Sequence, residues 1–294
     1  MDRPRLGFVG AGVVGTALAK GLARAGYPVV AVTSRSPERR AALADAVPGT
    51  AGVETPQRVA DAADVVLLTV PDDAIATVAA SISWSSEHAA VHCSGAASID
   101  LLGSASAQGA EVGVFHPLQT FASVAMAERN LSGSAFGIEA SSDRLLDRLG
   151  EMARSLGGTP LKISGDKAIY HASAVVASNY LVTLLDVASS LWVAFGLSRE
   201  EGLNALLPLV RGTIENLETV GLPTALTGPI ARGDLGTVER HLVALRRVAP
   251  GLLPVYKELA RRAIPVARAK GGLSEDAADR LQEILDRTHP GGQQ

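Results

Sequence analysis

The chain of 294 residues is long enough, at ~150 per domain, for two domains with a sizeable core. Hydrophobic residues make up 47% and charged residues 19%, which excludes a disordered chain. Lys and Arg number 27 against 30 Asp and Glu, a net charge of −3, so neither a basic footprint for nucleic acid nor a basic helix for a lipid surface is present. The one cysteine, Cys93, allows no internal disulfide, no His/Cys cluster has metal-ligand spacing, and a cytoplasmic location is expected.

In chain order, Arg5–Val9 reads as a strand, Thr16–Ala25 as a helix, Val29–Thr33 as a strand and Pro37–Ala46 as a helix. Val65–Val70 is a strand entering the turn Pro71-Asp72-Asp73, and Ala90–His92 and Glu111–Phe115 are further strands. Ser134–Ile138, the helix Ser142–Leu156 and the short strand Leu161–Ile163 complete an α/β pattern, which implies βαβ units and a mostly parallel sheet. From Asp166 to Thr288 the periodicity is helical, punctuated at Gly196-Leu197-Ser198, Gly221-Leu222-Pro223, Pro250-Gly251 and Gly271-Gly272. The expected organisation is an α/β Rossmann-type domain over 1–164, an all-helical domain over 165–288 and a disordered tail over 289–294.

Two apolar runs resemble membrane or export signals. Leu6 to Ala19 follows Arg3 and Arg5, yet holds a patterned array of glycines and no clear cleavage box. Ala172 to Leu197 is interrupted by Asn179 and Asp186, so it is expected to be a buried helix of a soluble protein with no membrane partner.

Gly10-Ala11-Gly12-Val13-Val14-Gly15 fits the G-x-G-x-x-G fingerprint directly after a strand and opening a helix, the context a dinucleotide site demands. Gly10 allows the tight turn, Gly12 the approach of the pyrophosphate and Gly15 the helix–strand contact. About 20 residues on, where an NAD site has a carboxylate, stands Ser34-Arg35-Ser36. An arginine fork with flanking hydroxyls suits a 2′-phosphate, which points to NADP(H); a solvated surface arginine is the plainer alternative. Val70 and Pro71 follow the next apolar strand and are placed by topology along the adenosine and ribose.

Four segments are expected near the nicotinamide. His92-Cys93-Ser94-Gly95 and Phe115-His116-Pro117-Leu118-Gln119 both end strands, where open α/β sheets bind ligands. Ser94 is a candidate for cofactor and substrate, Gly95 and Gln119 for substrate, and His116 for lining the site. On the third segment Lys167, His171, Ala174 and Ser178 form one helical stripe with Asn179 at its margin. Lys167 beside an apolar wall suits a proton donor, although a lysine at a helix start also snorkels to water. On the fourth, Arg232 suits a substrate carboxylate, and Asp234 reads as the N-cap of the helix Leu235–Arg247.

Together these motifs, with Lys167-Ala-Ile-Tyr-His171, Ser178-Asn179-Tyr180 and Leu226-Thr-Gly-Pro-Ile-Ala-Arg-Gly-Asp234, resemble a bacterial family of NADP-oxidoreductase-like proteins. That family pairs a Rossmann-like domain with a helical domain of unknown function, the 2520 type. More distantly the layout is similar to the 6-phosphogluconate dehydrogenase-like superfamily, which includes β-hydroxyacid dehydrogenases and ketopantoate, pyrroline-5-carboxylate and coenzyme F420-dependent NADP reductases. In several of its hydroxyacid enzymes a Lys followed four residues later by Asn serves the reacting carbonyl; Lys167 matches the lysine, and His171 stands at the Asn position. The His116-Pro117 pair is similar to the strand-end His-Pro of prephenate-type dehydrogenases. The resemblance implies an NADPH-dependent oxidoreductase acting on a small carboxylate-bearing carbonyl or imine compound, with a ketopantoate-like 2-keto acid first. Lys167, His116 or His171 would donate the proton, and Ser94 or Asn179 would assist at the oxygen. A non-catalytic NADP(H)-binding regulator is the alternative. The apolar helix Lys167–Phe195 predicts a homodimer through the helical domain.

Overall fold

The computed structural model describes residues 3–287. The chain opens with β1 (Leu6–Val9), α1 (Val13–Arg24), β2 (Val29–Thr33), α2 (Pro37–Ala46), β3 (Ala51–Gly52), α3 (Pro56–Ala62) and β4 (Val65–Leu68). A 3-10 turn at Asp72–Ala74 leads to α4 (Ile75–Ala80) and β5 (Ala89–His92), and a second at Ile99–Leu102 leads to α5 (Gly103–Ser106). Then follow β6 (Glu111–Leu118), α6 (Val124–Asn130), β7 (Ala135–Ala140), α7 (Asp143–Ser155), β8 (Thr159–Lys162) and α8 (Lys167–Ala177). The elements missed by pattern are the short ones: α3 buries only Val59 and Ala60, too few to show a period, and its signal is the cap Thr55 with Pro56 behind it.

The eight strands form one sheet in the order β3-β2-β1-β4-β5-β6-β7-β8. Every adjacent pair is parallel except β6 and β7, which are antiparallel. Every residue of β1, β4 and β5 is buried, the mark of a parallel sheet covered on both faces. One face packs Phe8, Leu18, Leu22, Phe115, Phe136 and Leu149; the other packs Val66, Leu68, Ile75, Trp84 and Leu102. This is the Rossmann-type fold expected.

The register of β6 decides where its polar end stands. Its pairing with β5 ends at His92↔Val114, while β6 runs on to Leu118, paired now only with β7. The overhang carries His116 beyond the carboxyl end of β5, directly opposite Gly137.

The chain divides between Ser178 and Asn179 into two compact units. The sequence places that boundary after residue 164; in the structure α8 groups with the first unit, and its first residue, Lys167, is ion-paired to Glu139 of β7. The second unit contains α9 (Asn179–Ser190), a 3-10 segment at Leu191–Phe195, α10 (Arg199–Val220), α11 (Leu235–Val248), α12 (Leu253–Lys270) and α13 (Glu275–Asp286). The last three helices share a core of Val238, Leu242, Ile264, Leu281 and Leu285. The expected helix Lys167–Phe195 is marked only by a one-residue turn at Ser178, between α8 and α9, where the backbone stays in the right-handed helical region. Its flanks are not buried, contrary to expectation: Ile169 is 70%, Val176 61% and Val182 68% exposed. Among the described residues from Gly157 to Ile230 no apolar side chain is buried at all. The tail from 289 onwards lies outside the described residues.

Candidate active site

The glycine fingerprint has the geometry of a dinucleotide cradle. Gly10 takes φ +114°, and a Cβ there would stand 2.5 Å from the Thr69 carbonyl oxygen. A Cβ on Gly15 would stand 2.4 Å from both the Gly10 carbonyl oxygen and Thr69 Oγ1, so only glycine lets α1 approach β1 and β4 this closely. A Cβ on Gly12 would meet nothing within 4 Å, leaving open space above the turn. Gly12 caps α1 without a side chain and no acid stands in the first turn, so the leading N–H groups of Val13, Val14 and Gly15 are free for an anion. Ala11 is buried beneath the turn and supplies backbone only.

Beyond β2, Arg35 is exposed, and its guanidinium has no partner among the described residues. The two serines beside it are partly committed. Ser34 Oγ accepts from Ser36 N at 3.3 Å, while Ser36 Oγ accepts from Arg39 N as the cap of α2 and donates to Glu38 at 2.7 Å. Glu38 is thus a carboxylate one turn from the arginine, a neighbour that strand-end reading overlooked. Val70 is half-buried and Pro71 exposed at the end of β4.

After β5 the chain folds back on its own polar groups. His92 is fully buried, accepts from Ser94 N at Nδ1 (3.2 Å) and faces the Ser98 carbonyl at Nε2 (3.2 Å). Burial holds its pKa below the usual histidine value. Ser94 Oγ donates to Asp72 at 2.7 Å and accepts from Ala96 N and Ala97 N. Ser94 therefore braces the β4 and β5 loops against each other, and His92 is structural. Burial pushes the Cys93 thiol up to about 12, which leaves no thiolate for chemistry.

The overhang of β6 brings His116 to a phenol of α8. His116 Nδ1 lies 2.9 Å from the hydroxyl of Tyr170 on α8, with the two rings edge to face. Two glycines make room for the pair. A Cβ on Gly95 would stand 2.6 Å from His116 Nε2, and one on Gly137 2.7 Å from the Tyr170 hydroxyl. Burial, then the positive charge His171 can carry, depress His116 to about 4, so its imidazole is uncharged at neutral pH. Burial raises the Tyr170 phenol, which stays protonated. One turn earlier Lys167, only 7% exposed, places Nζ 2.9 Å from Glu139 of β7 and donates to the Ile163 carbonyl at 2.8 Å. Tyr170 is absent from the residues singled out by sequence.

The remaining expected residues are scattered. His171 is half-buried on α8, on the His116 side. Gln119 turns away to Asn130 and Ser134. Asn179 opens α9, exposed, in the second unit, as is Arg232, whose guanidinium has no partner among the described residues. Asp234 caps α11 as expected, accepting from Thr237 N and Thr237 Oγ1. No group of three or more potential metal ligands is found among the described residues.

Fold and cradle define a Rossmann-type dinucleotide-binding protein, and comparison with known proteins adds the class of oxidoreductases. Residues 5–94 match the family described as NADP oxidoreductase, coenzyme F420-dependent, and residues 134–263 match the domain of unknown function 2520. The two halves of the chain thus match an NADP oxidoreductase domain and this second domain, in that order. It is similar to a Thermotoga maritima protein of solved structure (26% identity, 90% of this chain and 99% of that one, TM-score 0.72). It is equally similar to a Bacteroides fragilis protein described as a candidate NADP oxidoreductase (26% identity, 90% and 98% coverage, TM-score 0.70). A pyrroline-5-carboxylate reductase from Coxiella burnetii shares the fold at 16% identity, with 98% and 100% coverage and TM-score 0.61. No protein with a curated description matches the sequence. The cofactor is NADP(H).

Two stability effects arise from the site. His116 titrates at 6.5 when unfolded and about 4 when folded, so only the unfolded chain gains its proton as pH falls between those values. Its contribution is complete above pH 6.5 and lost toward pH 4. Urea unfolding at pH 7 and pH 5 should show a drop about 2 kcal/mol larger in the native protein than in His116→Gln. Lys167→Met should cost about 2 kcal/mol by leaving the partly buried Glu139 carboxylate without its cation, and adding Glu139→Leu should recover much of that loss.

Proposed function

We propose that this protein is a cytoplasmic NADPH-dependent reductase of a small, carboxylate-bearing carbonyl or imine compound, a ketopantoate-like 2-keto acid being the first candidate. The observation that carries the reading is the β6 overhang. The sheet edge that holds a dinucleotide also carries an imidazole kept uncharged, hydrogen-bonded to a phenol, where the nicotinamide half of a Rossmann cofactor lies.

NADPH, when bound, supplies the hydride. The chain's part is to hold and orient. Gly10 to Gly15 present backbone N–H groups and open space to the pyrophosphate. Arg35, helped by Ser34 and Ser36, forks onto the 2′-phosphate. Val70, Pro71 and the Ser94–Gly95 loop line the ribose and nicotinamide side. Of the expected proton donors, Lys167 is already engaged by Glu139 and Ile163, so we give it the task of fixing α8, while His116 and His171 face the reacting centre.

Calorimetric titration should give NADPH at least tenfold tighter binding than NADH. Arg35→Asp should weaken NADPH by about 10- to 100-fold, the worth of one charge-assisted phosphate contact. Ketopantoate, other 2-keto acids and cyclic imines are then screened by loss of nicotinamide absorbance. Tight NADPH binding without turnover across the screen would overturn the reductase reading.

We also propose that the helical unit forms a homodimer. Lys167–Phe195 is long and apolar enough to cross a membrane by length and composition. The uncovered apolar side chains extend onto α10, at Leu209, Ile214, Leu217 and Val220, on a helix that also carries Arg211, Glu215 and Glu218. A second copy covers such a mixed surface better than lipid does. Light scattering in detergent-free buffer should give twice 30.2 kDa. Leu209→Glu with Leu217→Glu should shift it toward the monomer. A monomeric mass at every concentration, or a need for detergent, would refute the dimer.

A further inference from the structure

We infer that Tyr170 is the proton donor of the proposed reduction and that His116 is its positioning residue, carrying the imidazole proton on Nδ1. The inference rests on the reductase reading and selects among the groups at that site.

Three observations lead to it. First, Lys167 is spent: its ammonium is buried, beside Glu139 and bonded to the Ile163 carbonyl. Second, the only hydrogen-bond partner of His116 among the described residues is Tyr170, at Nδ1. The opposite nitrogen, Nε2, lies against Gly95, where even a Cβ would intrude. Nε2 is not sealed from solvent and water can serve it as donor or acceptor, so we assign the proton by the other nitrogen: only Nδ1–H leaves the phenol hydrogen free for a substrate. In this assignment the neutral ring keeps its proton on Nδ1, where the phenol oxygen accepts it. Third, a phenol oxygen that accepts from the imidazole keeps its own O–H free to point elsewhere. Gly137 removes the side chain that would displace that hydroxyl from the sheet edge.

The chemistry balances without another reactant. The substrate carbon takes the hydride supplied by NADPH, the C=O or C=N π pair moves to the oxygen or nitrogen, and the O–H bond of Tyr170 breaks to give that atom its proton. The phenolate left behind is held by Nδ1–H of His116 and is reprotonated from water after product leaves. His116 never changes charge in this scheme, in accord with a burial that disfavours its protonated form. The rival arrangement, in which Tyr170 donates to Nδ1 and His116 delivers a proton from Nε2, requires the other tautomer.

The test has two arms. In protein labelled with 15N-histidine, the six histidines are sorted by comparison with His116→Gln, and long-range couplings report which ring nitrogen of His116 bears the proton at pH 7. The expected result is Nδ1–H, lost to Nε2 in Tyr170→Phe; Nε2–H in the native protein overturns the inference whether or not a substrate is known. In the second arm, Tyr170→Phe is assayed on a compound from the screen that the native protein reduces. A fall in kcat of about 100-fold or more is expected, with NADPH affinity and KM within about threefold. Retained kcat in Tyr170→Phe beside a collapse in His116→Gln assigns the proton to His116 and overturns the inference. A native protein that binds NADPH and reduces nothing overturns the reductase reading itself, and this inference with it.

Discussion

The placement of α8 depends on one ion pair. The helix turns its apolar side chains outward, and its one buried side chain is Lys167. What fastens it to the sheet is the ammonium between Glu139 and the Ile163 carbonyl, with the Tyr170–His116 bond one turn further on. A charged anchor of this kind adds little net stability compared with apolar packing, but it has one geometry, whereas leucines slide. The helix is thereby held in one rotational setting, and the phenol one turn later inherits that setting. Under the proposed reading, lysine here serves the chemistry at one remove.

That division of labour explains what could be read from the chain and what could not. The cofactor half is local: a strand, three glycines, a helix start and an arginine ~20 residues on, all within one βαβ unit. The proposed reaction half is not. His92 and His116 both end apolar strands and look alike in sequence, yet one is buried with both nitrogens bonded and the other stands at the edge. The difference is the register of β6 against β5, which leaves four residues of β6 projecting. Tyr170 escaped notice because an aromatic in an apolar helix reads as core, and its partner lies 54 residues away. The one available signal was its spacing of three from Lys167, which puts both on neighbouring parts of one helical face.

The expectation that Lys167–Phe195 would be buried fails for a different reason. Hydropathy states that a surface avoids water; it does not state which chain provides the cover. Here α11, α12 and α13 close their own small core, while α9 and α10 pack on each other and leave Val182, Leu209 and Leu217 outside. A pattern read as interior to the chain is, in the single copy, its surface. The helical half is thus two structures in energetic terms, one self-sufficient and one lacking an apolar core of its own.

Gly95 and Gly137 have a consequence for how this protein can vary. Neither has a positive φ, so neither backbone forbids a side chain. Each is glycine because an aromatic ring from elsewhere occupies the volume its Cβ would fill. The two positions and the two rings form a four-member steric contract across β6, β7, α8 and the loop after β5. An alanine at either glycine is admissible only in a lineage that has already shrunk or turned the facing ring. Descendants that keep the imidazole and phenol should keep both glycines, and those that lose one should lose them in matched pairs, a covariation written by shape alone.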